Sequence, residues 1–113
     1  MSARLTSKFI VTALLKHTAT AGGYATVLSH GDDNAGAVII VCAEKGQVSA
    51  ILELAYDPDN RFILRPCIQQ PSDNKQQYES YLSKRRQSDP DLWIIELDVP
   101  SPERFTAECL SIA

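Results

Sequence analysis

The sequence predicts an α+β fold: an N-terminal helix, a four-stranded antiparallel meander, a second helix and a fifth strand. Three observations carry that prediction. The N-terminal stretch to Thr20 is apolar at helical spacing and stops at Gly22-Gly23. From Tyr24 to Ile68, apolar runs alternate with short turn-forming segments. A polar stretch with a basic end then leads into one last apolar run, "LWIIELDV". At 113 residues the chain fits one domain, and its 44% apolar and 22% charged residues are ordinary globular values. The expected boundaries are a domain over 1–99 and a partly ordered, Pro-punctuated tail, "PSPERFTAECLSIA", over 100–113.

The first helix has Ser2 or Thr6 as its cap. Leu5, Phe9, Ala13 and His17 form one stripe, and Ile10, Val11, Leu14 and Leu15 widen it beyond one packing face. The excess predicts a helix buried more deeply than usual or a strand at "FIV". The alternative is an interaction surface at Phe9, Ile10 and Leu14, for which a second copy of the chain is one partner. The strands are expected at Tyr24 to His30, Ala37 to Glu44, Gln47 to Tyr56 and Arg61 to Ile68, joined by "GDDNAG", "KG" and "DPDN". Connections this brief predict antiparallel neighbours. In the third strand Val48, Ala50, Leu52, Leu54 and Tyr56 alternate with polar positions, which predicts one buried face. "AVIIVCA" is apolar on both faces and predicts the central strand.

The second helix spans roughly Ser72 to Ser88, with Ser72 as cap and Asp73 near the positive end of its dipole. Lys84, Arg85 and Arg86 sit at the negative end, where they complement the dipole and offer a basic patch; Arg85 is placed to pair with Asp89. Asp89 can accept backbone N–H bonds as the helix ends, and Pro90 stops it. Asp91 opens the last strand. Trp93, Ile95, Leu97 and Val99 then share an apolar face, so Trp93 is a core anchor.

Charge and cysteine content exclude several function classes. A net charge of −3 and a pI near 5.2 make nucleic acid an improbable partner. The run between Lys8 and Lys16 is too short for a signal peptide or a membrane span, so a cytoplasmic chain without a membrane role is expected. Cys42, Cys67 and Cys109 are widely spaced without a CxxC pair, as in a reducing compartment.

The sharpest chemical candidates are acidic loops containing Asp32, Asp33, Asp57 and Asp59, with Asp89 and Asp91. Acidic turns suit divalent cations, yet none has the EF-hand spacing: position five is Arg61 counted from Asp57, Trp93 from Asp89 and Gly36 from Asp32. "PDLWIIELD" resembles the acidic motif of restriction-type nucleases, but Asp98 occupies the lysine position. Asp91 and Glu96 also point to opposite faces of one strand, ~16 Å apart along it. A His30 and Asp32 pair is the remaining acid/base constellation. No phosphate-binding glycine loop is present, and neither catalytic residues nor a cofactor are expected.

"RRQSDPDLWIIELD" and "GDDNAGAVII", in that spacing and at this chain length, resemble the domain-of-unknown-function family 1491, a group of small bacterial proteins. The resemblance implies a small bacterial α+β protein and carries no catalytic residues over. The expected function is a non-enzymatic interaction or accessory module whose partner is another protein or the chain itself. A small metal-dependent hydrolase using the acidic turns is the alternative.

Overall fold

A computed structural model of the chain describes residues 5–68 and 75–112. The elements run α1 (Ser7–Thr20), β1 (Tyr24–Ser29), β2 (Val38–Glu44), β3 (Gln47–Tyr56), β4 (Phe62–Ile68), α2 (Lys75–Ser88), β5 (Trp93–Asp98) and α3 (Pro102–Ile112). The strands form one mixed sheet in the order β1-β5-β2-β3-β4. This corrects the predicted four-stranded meander. β2, β3 and β4 are antiparallel neighbours, but β5 lies between β1 and β2, antiparallel to the first and parallel to the second.

Burial explains the insertion. Trp93, Ile94, Ile95 and Leu97 are buried on both faces of β5, and such a strand is fully desolvated only inside a sheet. The chain between β1 and β2 is also longer than a tight hairpin needs. β2 takes the central position expected of it, buried from Val38 to Ala43.

Two apolar layers sandwich the sheet. On one side Val38, Ile40, Cys42, Trp93, Ile95 and Leu97 pack with Ile10, Val11 and Leu14 of α1 and Leu110 of α3. On the other, Ile39, Val41, Ala43, Leu92 and Ile94 pack with Leu82 of α2. The single buried face predicted for β3 breaks at Ser49, where the register moves from Cys42↔Ala50 to Ala43↔Val48. Val48 therefore joins the α2 side, while Ala50, Leu52 and Leu54 remain on the other.

The broad apolar surface of α1 is resolved the same way. Ile10 and Leu14 are 3% and 1% exposed, so they are core rather than interaction surface. Leu5, Phe9 and His17, three residues of the first stripe, are exposed. The polar residues of the buried side bring their own partners: Ser7 Oγ donates to the Gly36 carbonyl at 2.5 Å and Thr18 Oγ1 to the Leu14 carbonyl at 2.8 Å. Thr6 is the cap, its Oγ1 accepting the Phe9 N–H; Ser2 lies outside the described residues, as do Ser72 and Asp73 of the second helix. The C-terminal segment is also corrected. It is an eleven-residue helix, with Leu110 in the core, rather than a partly ordered tail.

Residues 30–37, between β1 and β2, lock the start of β5. The Asp32 N–H donates to the Asp91 carbonyl at 3.0 Å, the Trp93 N–H to the Ala37 carbonyl at 2.7 Å, and Trp93 Nε1–H to the Asp32 carbonyl at 2.7 Å. The same loop receives the first turn of α1, whose Ser7 and Lys8 N–H groups donate to the Asn34 and Asp33 carbonyls. At the far end of β5, the Asp98 carboxylate accepts the Lys45 and Gly46 N–H groups at 2.8 and 2.9 Å. Those residues form the β2–β3 turn with φ of 53° and 80°.

The loop can seat this closely because Gly31 and Gly36 lack side chains. A Cβ on either would meet the Asp91 carbonyl oxygen well inside van der Waals contact. Gly36→Ala should therefore cost about 1–3 kcal/mol in urea unfolding. A change below about 0.5 kcal/mol would show that the loop is not a tight seat.

Candidate functional site

The mixed topology gathers all three acidic loops at one end of the sheet, because β5 runs parallel to β2 and antiparallel to β1. Two of them interlock through the backbone contacts of Asp32 and Asp91. The third, at Asp57, sits two strands away from β5, between β3 and β4. Gathering the loops does not gather the carboxylates. Asp32 Oδ2 accepts the Asn34 and Ala35 N–H groups at 3.1 and 2.9 Å. Asp57 Oδ1 accepts the Arg61 N–H at 2.9 Å, and Asp89 Oδ1 the Asp91 N–H at 3.1 Å. Each of these three holds its own turn. Asp59 is exposed at the tip of its turn. Among the described residues, no three His, Cys, Asp or Glu side chains converge as metal ligands. The hydrolase reading is left without support.

His30 pairs with Asp33 rather than with Asp32, its Nε2 lying 3.2 Å from Asp33 Oδ1. Its ring stacks obliquely on Trp93 with centroids 4.1 Å apart. Trp93 is buried, and α2 ends at Ser88, just before Asp89 and Pro90, with the Asp89 N–H on the Arg85 carbonyl.

The basic end of α2 divides. Lys84 and Arg86 are exposed. Arg85 does not pair with Asp89; its Nη1 reaches Glu53 Oε1 at 2.8 Å and the Tyr81 hydroxyl at 2.7 Å. The Glu53 hydrogen bond holds the guanidinium even further above its ordinary range than an exposed arginine. Arg85 thus ties α2 to β3 instead of offering a free phosphate fork. Sequence spacing suggested the local partner; Glu53 is brought in only by the sheet.

The cysteines are poor nucleophiles. Burial, and secondarily Glu103, push the Cys42 thiol up to about 12. Burial likewise raises Cys67 and Cys109. A groove of ≈ 500 Å³ runs between β4 and α3, lined by Arg61, Phe62, Leu64 and Leu110.

The feature that sequence reading missed is that β1 is an outer edge of the sheet among the described residues. "YATVLS" carries no charge and no proline, and Tyr24, Val27 and Leu28 are 79%, 40% and 41% exposed. The opposite edge, β4, includes Arg65 and Pro66. The signal was the uncharged, proline-free composition of β1.

Two outcomes follow from these placements. Asp32→Ala should lose about 0.5–2 kcal/mol of stability by uncapping two amides, by the same amount with and without magnesium, manganese or calcium; a loss seen only with a divalent ion would restore the metal reading. For Cys42, the folded pKa lies above the unfolded value, so its contribution is intact below pH 9 and lost as pH rises toward about 12. The wild type should lose up to ~1.4 kcal/mol more per pH unit than Cys42→Ala in alkaline urea melts. Parallel slopes would place the thiol in a wetter site.

The fold recurs in solved structures. The chain is similar to a crystal structure of a DUF1491 family protein from Caulobacter crescentus CB15, with a TM-score of 0.77 and 23% identity over 90% of this chain and 94% of that chain. An NMR structure of a DUF1491 family protein from the same organism gives 0.72 and 22%, over 92% and 94%. The solution structure of protein Atu0922 from A. tumefaciens gives 0.64 and 23%, over 91% and 92%. No curated protein matches the chain. A family profile described as "Protein of unknown function (DUF1491)" matches residues 5–107, from the residue before the α1 cap into α3, and the chain accordingly belongs to the DUF1491 family.

Proposed function

We propose that this chain is a small non-enzymatic interaction module that binds through the outer edge of β1. The observation that carries the reading is the contrast between the two sheet edges. An exposed strand without charge or proline presents unpaired N–H and C=O groups, the template for strand addition, whereas proline and charge discourage it at β4. The engaged carboxylates and the raised thiols also favour binding over chemistry. Among the described residues no helix is long and apolar enough to cross a membrane. Three free cysteines fit a reducing bacterial cytoplasm.

Val27→Lys tests the edge, since Val27 is exposed and its lysine would cover the template with a solvated charge. Any association of the wild type, with itself or another protein, should weaken at least about tenfold in titration calorimetry or analytical ultracentrifugation. Equal association by both proteins, or none by the wild type, would overturn the reading.

A further inference from the structure

We infer that the strand added to β1 is β1 of a second copy, giving a two-fold dimer with one continuous ten-stranded sheet. The inference rests on the edge-binding reading and names its occupant.

Side-chain direction comes from the β1–β5 register. Ala25 and Val27 lie opposite Leu97 and Ile95, hence on the α1–α3 side; Tyr24 and Thr26 lie opposite Asp98 and Glu96, on the α2 side. Leu28 is the extra residue where the register shifts between Val27 and Ser29, and it joins the latter side by lining a groove with Tyr78 and Leu82 of α2. A two-fold axis perpendicular to the sheet keeps each face on its own side, so antiparallel self-pairing must be centred on a single residue.

Centred on Thr26, the strand is complementary to itself. Tyr24 of one copy faces Leu28 of the other on the α2 side, and Val27 faces Ala25 on the α1–α3 side. Thr26 meets its own counterpart on the axis. The three exposed apolar side chains of β1 are covered together, as an aromatic–aliphatic pair on one side and an aliphatic pair on the other. No charge on the strand opposes the pairing. The acids beside Thr26 on the neighbouring strands, the two Glu96 side chains, fall three strand spacings apart, ~14 Å. That exceeds the screening length of ~8–10 Å at physiological salt. A head-to-tail array would have to pair β1 with β4, where Arg65 and Pro66 stand in the strand. The closed two-fold dimer is what remains.

The position of Thr26 on the axis gives a decisive test. Thr26→Lys places two like charges directly opposite one another, as does Thr26→Glu, while an equimolar mixture of the two variants places opposite charges there. Sedimentation equilibrium from micromolar to millimolar protein should show concentration-dependent dimerisation of the wild type. Each variant alone should dimerise at least about tenfold more weakly, and the mixture should recover a heterodimer. Unchanged far-UV circular dichroism and melting temperature exclude misfolding of the variants. A wild type that stays monomeric, or variants that dimerise as well as it does, would overturn the inference. If the wild type stays monomeric but another protein's binding is lost with Val27→Lys, the self-pairing fails and the edge-binding reading stands.

Discussion

The start of β5 sits in a backbone saddle formed by residues 30–37, and both layers of the domain are hung from it. Three hydrogen bonds join the loop to Asp91 and Trp93, one through the indole nitrogen. At a net ~1 kcal/mol each, they matter less as energy than as geometry. They fix where a two-faced apolar strand enters the sheet and so decide which residues meet α1 and which meet α2. Because the same loop accepts the first N–H groups of α1, the helix and the strand share one reference point. The two glycines let the loop close on the Asp91 carbonyl, so the acidic sequence around them is a consequence of turn-making and not of metal chemistry.

What was legible in the sequence was whatever depends on near neighbours. The strand from Val38 to Glu44, the two-residue "KG" turn, the Thr6 cap and the Pro90 stop follow from periodicity and local backbone chemistry, and all are present. Long-range pairing was not legible. Nothing local distinguishes a β1 that pairs with β2 from one that pairs with β5; the choice lies in the desolvation of Ile94 and Ile95 on opposite faces. For the same reason Arg85 was matched to Asp89 four residues on, when the sheet supplies Glu53. The inward turn of Ile10 and Leu14 was illegible too, because α1 offers two apolar sides and only the sheet selects between them.

The acidic loops show how composition misleads about chemistry. An aspartate at the head of a turn is used for its short reach to the next amides, so Asp32, Asp57 and Asp89 each face their own backbone. Their convergence at one end of the sheet is a topological outcome of β5 running parallel to β2. Asp98 plays a related part at the opposite end, but across strands: its carboxylate, at the tip of β5, ties down the β2–β3 turn. The acid that stands where a nuclease motif needs a lysine joins two parts of the sheet.

Placing β5 inside the sheet also determines what is left outside. In a simple meander the two-faced strand would lie at an edge, with Ile94 or Ile95 in water. The observed order buries it and leaves β1 outermost, with a smaller and more polar surface. That exchange favours the monomer, since the side chains of β5 bury more area than those of β1 would. It does not protect the new edge. Charges or proline normally do so, and β4 has both. β1 has neither; its six-residue length and the register shift beyond Val27 are what limit pairing there. The order that completes the core therefore leaves at its edge the surface most suited to another strand.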